Sequence, residues 1–122
     1  MNTSALNIGQ NHDGAVCVVT LSGRIDSTNA SDLMNQLTNL ITSGEKSIVV
    51  DLGAVLYLTS AAFRALLVAT DEAERNAAKF VLCSLGGHVR ELFEMGGLLE
   101  VFTVHASRAE AVAQLGLSKS TT

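Results

Sequence analysis

The chain has 122 residues, of which 48% are hydrophobic and 16% charged, a composition that fits one compact domain around a single core. At this size folding buries very roughly two-thirds of the surface the unfolded chain exposes, so neither a disulfide nor a structural metal is needed. Eight Lys and Arg against twelve Asp and Glu give a formal charge of −4, and the basic residues are scattered singly, which excludes the clustered positive charge that nucleic-acid binding requires.

Proline is absent, so element boundaries are read from Gly, Asn, Asp and Ser and from changes of hydrophobic period. Residues 5–10 alternate loosely, Asn11-His12-Asp13-Gly14 carries Asp-Gly turn chemistry, and 15–21 is a β-branched apolar run. These predict an opening β-hairpin. After Ser22-Gly23 the period changes: Ala30, Leu33, Met34, Leu37, Leu40 and Ile41 share one face of a helix. Its start is expected near Ser27 or Thr28, whose hydroxyls can accept from free backbone N–H groups, and its end at Ser43-Gly44.

Residues 47–52 (SIVVDL) form a continuous apolar run of the kind buried on both faces, which favours parallel pairing under covering helices. A brief apolar linker ending in Val55-Leu56-Tyr57-Leu58 leads to a second helix over 60–76. Its inward positions are expected to be Phe63, Leu66, Leu67, Thr70, Ala73 and Ala77. A strand follows at 79–83, and a third helix marked by Val89, Leu92 and Phe93 ends at Met95-Gly96-Gly97. A short strand at 101–104 and a terminal helix over 108–115 complete the pattern, with residues 117–122 as a polar, frayed tail. The expected fold is α/β, a small mixed sheet covered by about four helices with right-handed crossovers, in one domain spanning 1–122 with its core at about 5–116. Strand order within the sheet does not follow from these patterns.

The opening MNTSALNIGQNHDG has no basic run leading into an apolar stretch, and apolar windows elsewhere are broken by Arg, Asp or Gly. Neither a signal peptide nor a membrane span is expected. Cys17 and Cys83 sit inside apolar runs, where cysteine behaves as a small buried hydrophobe, and the cytoplasm is the expected compartment.

Common enzyme signatures are missing: no phosphate loop, no G-x-G-x-x-G, no G-x-S-x-G elbow, no C-x-x-C or H-E-x-x-H. His12, His88 and His105 fall in different connections or element ends, so no metal and no cofactor is expected. Gly86-Gly87-His88 reads as a turn feeding a helix rather than an anion site. An enzyme would have to use Ser60 as nucleophile with His88 or His105 as base, and no orienting carboxylate or oxyanion motif accompanies them. The expectation is a non-enzyme.

The informative segment runs from the 47–52 strand to Thr59-Ser60 at the start of the second helix. A hydroxyl there lies near the positive end of the helix dipole, where it either caps the helix or, if phosphorylated, has its phosphate partly stabilised by the same N–H groups. Arg64, one turn after Ser60, lies on the same face and can pair with that phosphate. Tyr57 and Phe63 beside it read as core residues.

The stretches LSGRID (21–26), Asn29-Ala30 and Leu33, IVVDL (48–52), LTSAAF (58–63) and VRELFEMGGL (89–98) together resemble the STAS domains of bacterial anti-sigma factor antagonists, collinearly over about residues 5–116. The resemblance implies a STAS fold and a partner, an anti-sigma factor with serine kinase activity, that binds the unphosphorylated domain and so releases its sigma factor. Phosphorylation of one Ser reverses this, and a PP2C-type phosphatase would restore binding. Ser60 takes the phosphoacceptor place, Asp26 matches a residue beside that site, and the implied partner face comprises Asp26, Ser27, Thr59, Ala61 and Arg64. The family motif, roughly Asp-Ser-Ser/Thr-Gly, is here Thr59-Ser60-Ala61-Ala62, with only the acceptor kept. Some members of the family are unphosphorylated scaffold subunits of stress-signalling or lipid-transport complexes, which is the alternative function. Asp26 and Asp51 are expected to lie close together and to repel a phosphate.

Overall fold

The apolar runs pair into one five-stranded sheet in a computed structural model that describes residues 6–120. Its strands are β1 (Leu6–Asp13), β2 (Val16–Ile25), β3 (Ser47–Leu58), β4 (Lys79–Cys83) and β5 (Val104–His105), side by side in chain order. The β1–β2 pair is antiparallel and the later pairs are parallel. Helices α1 (Ala30–Thr42), α2 (Ser60–Arg75) and α3 (Gly87–Met95) fill the parallel connections, with a 3-10 turn at Leu98–Glu100, and α4 (Arg108–Ser120) follows β5. Among the described residues no helix is long and apolar enough to cross a membrane.

The hairpin is tighter than expected. His12 and Asp13 belong to β1, and Asp13 pairs with Val16 across a two-residue loop in which Gly14 takes φ +63°, the left-handed backbone that such a loop needs. Residue 5, the expected first strand residue, lies outside the described residues.

Alternation along the central strands builds two cores. Val19, Leu21, Ile48, Val50 and Leu82 face α1, α2 and α3, whereas Val18, Val49, Val81 and Cys83 face Ala111 and Leu115 of α4. The expectation that 47–52 is buried on both sides therefore holds, and both cysteines are buried and free. The terminal helix runs past 115 to Ser120, so the expected frayed tail is helical that far; residues 121–122 lie outside the described residues.

The short strand expected at 101–104 is instead β5 at Val104–His105, and three further expectations change. The apolar linker after Leu52 is instead the second half of β3, which pairs with β2 as far as Ile25↔Leu58. Register shifts occur between Thr20 and Ser22 and between Gly23 and Arg24, and each gives β3 one extra residue. The bulges break the two-residue period, so that Leu52, Val55 and Leu58 point inward at every third position. On α2 the buried face is Ala62, Ala65, Leu66, Ala69 and Ala73, while Leu67 and Val68 are exposed. Small residues let α2 approach α1 closely, and a reading weighted towards large side chains rotates the helix the wrong way. Finally, α1 begins at Ala30 rather than at Ser27 or Thr28, because the three residues before Asn29 form a turn of their own.

Candidate functional site

The site is built where two parallel strands end together. Ile25 pairs with Leu58, and one residue on the Thr59 amide donates to the Ile25 carbonyl at 3.0 Å, with the Thr59 hydroxyl reaching the same oxygen at 3.4 Å. This fixes the turn leaving β2 beside the start of α2.

Residues 26–29 are held by a local polar network. Asp26 Oδ1 accepts from the Thr28 amide at 2.9 Å and from the Thr28 hydroxyl at 2.5 Å. The Asp26 amide donates to Asn29 Oδ1 at 3.0 Å, and Asn29 Nδ2 donates to the Arg24 carbonyl at 3.0 Å. Such side-chain-to-backbone bonds replace the missing helical ones and keep α1 from starting earlier. The Thr28 hydroxyl, then the Thr28 amide, hold the Asp26 carboxyl below the ordinary carboxylate range, with a smaller contribution from Arg24.

Thr59 is the cap residue of α2, yet its hydroxyl bonds back to Ile25 and no side chain caps the helix. Ser60 is the first helical residue and is exposed, and among the described residues none hydrogen-bonds its hydroxyl. Arg64 is exposed one turn on and has no acidic partner among the described residues. Between α1 and α2 runs a groove of about 280 Å³ lined by Ser27, Ala30, Ser31, Met34, Ala61, Arg64 and Ala65. Ser27, Ala61 and Arg64 thus share one groove, while Asp26 and Thr59 precede it in the two segments that the Ile25 carbonyl joins.

Several neighbours differ from expectation. Asp51 is not beside Asp26: it sits mid-β3 opposite Thr20, and its carboxylate accepts from Arg108 Nε at 3.0 Å and from the Gly53 amide at 2.8 Å. Phe63 packs edge-on to Phe93, as a core residue should, but Tyr57 is 45% exposed and stacks on His88 with ring centroids 6.2 Å apart. Leu56 is 68% exposed beside it. Ala62, where the resembled motif has Gly, is fully buried, so the extra methyl enlarges the core and not the outer face.

Among the described residues none hydrogen-bonds Ser60 so as to activate its hydroxyl. Among the described residues no imidazole touches it: His88 lies on Tyr57, His105 faces Glu110 at 3.7 Å, and His12 Nε2 is 2.7 Å from Glu45 Oε2. What the arrangement offers is an exposed hydroxyl at the positive end of a helix, a free guanidinium one turn away, and apolar side chains on one flank.

The STAS domain family model matches residues 8–111. BtrV of Bordetella bronchiseptica, named provisionally as an anti-sigma factor antagonist, is 38% identical over 96 residues, which cover 79% of this chain and 83% of that one. A crystal structure of an anti-sigma factor antagonist from Mycobacterium paratuberculosis shares the fold, with a TM-score of 0.81 at 22% identity over 89% of this chain and 92% of that one. The Bacillus cell fate determinant SpoIIAA, in its phosphorylated form, does so with a TM-score of 0.70 at 18% identity, covering 89% of this chain and 99% of that one. With a five-stranded mixed sheet, four helices and a family match over most of its length, this chain belongs to the STAS domain family.

Proposed function

We propose that the chain is a single-domain anti-sigma factor antagonist that binds an anti-sigma factor with serine kinase activity while Ser60 is unphosphorylated, and lets go when Ser60 is phosphorylated. The observation that carries this reading is the exposed, uncommitted hydroxyl of Ser60 at the start of α2, next to the groove lined by Ser27, Ala61 and Arg64. Asp26, Ser27, Thr59, Ala61 and Arg64 are the proposed partner face. The names of BtrV and of the Mycobacterium paratuberculosis protein support the antagonist role, and the phosphorylated form of SpoIIAA supports the switch.

The mechanism is local electrostatics. A phosphate adds about −1.5 to −2 charges at neutral pH. In the free protein the α2 N-terminus and Arg64 can hold that charge. In a complex shaped around a neutral hydroxyl it must be desolvated without a partner, at a cost of roughly several kcal/mol. Leu56 and Tyr57, exposed beside the site, give the apolar contact area that a protein partner needs at the centre of an interface. Mixing the purified chain with its cognate kinase and ATP, then locating the phosphate by mass spectrometry, tests the assignment: a modified Ser60 and loss of complex are expected, and phosphate elsewhere removes it.

One observation favours a second reading, an unphosphorylated scaffold using the same face. Thr59 occupies the place of the motif's acidic residue and turns its hydroxyl inward to Ile25, so it presents no charge to a kinase. Chain isolated from its native cell with no phosphorylated form under any growth condition selects the scaffold.

A further inference from the structure

At the other end of the sheet from Ser60, three side chains of different chemistry converge. His12 and Cys17 are a cross-strand pair in the hairpin, so both project on the same face of the sheet. Glu45 arrives from the loop after α1. Gly44, at φ +116°, closes that helix, and the Glu45 amide bonds back to the Leu40 carbonyl at 3.1 Å, which fixes where its side chain begins. One ligand atom from each of His12, Cys17 and Glu45 lies within 4.8 Å of the others.

We propose that His12, Cys17 and Glu45 form a binding site for a thiophilic divalent cation of the zinc class. Imidazole, thiolate and carboxylate are the donors zinc takes, whereas magnesium and calcium prefer oxygen alone. Tetrahedral zinc with bonds of about 2.0–2.3 Å sets its ligand atoms roughly 3.4 Å apart, a spacing inside the 4.8 Å that encloses these three. Cys17 is wholly buried beneath the other two, while the His12 side chain is 48% exposed, so the fourth position opens to solvent for water. On binding, the Cys17 thiol gives its proton to solvent and its sulfur takes the ion. The bound ion would staple the β1–β2 hairpin to the α1–β3 loop, joining His12 to Glu45, 33 residues further along the chain. No sequence spacing announces such a site, because its three members come from three separate elements.

Titration of the full chain with Co²⁺ tests this, because a thiolate ligand produces a charge-transfer absorption that imidazole and carboxylate do not. One equivalent giving that band, bleached by Zn²⁺, is expected. Cys83, the other thiol, lies in the opposite core, so Cys83→Ser should keep the band and Cys17→Ser should lose it. His12→Gln and Glu45→Gln replace residues outside the buried core and should leave the fold intact by circular dichroism. Each should weaken Co²⁺ binding by at least the roughly tenfold that even an outer-shell change causes. Absence of the band, its persistence in Cys17→Ser, or wild-type affinity in both His12→Gln and Glu45→Gln overturns the proposal and leaves His12 and Glu45 as a surface ion pair over a core cysteine.

Discussion

The Thr59 amide donates to the Ile25 carbonyl at 3.0 Å, one residue beyond the last β2–β3 pair. This bond carries the strand register into the two segments that present Asp26 and Ser60. Because it is a backbone bond, side-chain substitutions at the site leave the frame in place. Ser60→Asp and Ser60→Ala should therefore both fold with melting temperatures close to the parent. Ser60→Ala should hold the anti-sigma kinase as well as the unphosphorylated parent does. Ser60→Asp should bind at least roughly 100-fold more weakly, since a desolvated charge costing about 3 kcal/mol corresponds to that factor. Calorimetry with both variants reads the difference; equal affinities sink the charge-switch mechanism.

Arg108 ties α4 to the sheet through Asp51 and Thr20, with Nε 3.0 Å from Asp51 Oδ2 and Nη2 3.0 Å from Thr20 Oγ1. The Asp51 side chain is only 13% exposed, so truncating its partner leaves a nearly buried carboxylate with the Gly53 amide as its remaining donor. Arg108→Ala should destabilise the fold by about 1–3 kcal/mol. The Arg108→Ala/Asp51→Asn double variant should cost less than the two single changes added together. A double-mutant cycle by urea denaturation measures that coupling, and strict additivity would show the pair to be energetically idle.

Most of the element order is legible in the chain because it rests on local signals. The SIVVDL run, the Gly44 stop and the KFVLC strand all fall where periodicity and turn chemistry put them. Ser60 is legible for the same reason, as a hydroxyl at a strand-to-helix join. The misread parts depend on what faces what. Two bulges in β3 convert a period of two into a period of three, which local inspection takes for a linker. The inward face of α2 is set by alanines that matter for closeness and not for bulk. Arg108 with Asp51, and His12 with Cys17 and Glu45, meet only after the chain has folded, so no spacing could have joined them.

Ala77 offers a gain in stability. It follows the α2 cap residue Asn76 with φ +56°, and the Ala77 and Ala78 amides bond back to the Glu74 and Ala73 carbonyls at 3.2 and 2.8 Å. This is the left-handed helix ending that glycine normally supplies, and Gly44 supplies it after α1. A β-carbon in that backbone region costs roughly 1–2 kcal/mol, and glycine gives part of this back as extra freedom in the unfolded chain. Ala77→Gly should therefore raise stability by about 0.5–1 kcal/mol, visible as an upward shift of the urea midpoint at unchanged slope. An unchanged or lower midpoint would mean that the helix end relaxes without strain.

The turn at Asp26 should make part of the site sensitive to acid. Its carboxyl is held below the ordinary range chiefly by the Thr28 hydroxyl and amide, so in the folded state it gives up its proton more readily than in the unfolded chain. A lowered folded value means that the contribution is fully present above the unfolded Asp value of about 3.9 and is lost as pH falls through the lower folded one. Protonation weakens the Oδ1 acceptor that both Thr28 donors share and loosens residues 26–29, while the Thr59–Ile25 bond, which does not titrate, persists. Asp26→Asn should therefore be less stable than the parent at pH 7, with the difference closing only below about pH 4. Parallel thermal melts of the two proteins across that range give the comparison. A gap that stays constant down to the lowest pH would show that the Asp26→Asn variant loses something other than charge, because the bonds of Asn29 to the residue-26 amide and to the Arg24 carbonyl are the same in both proteins.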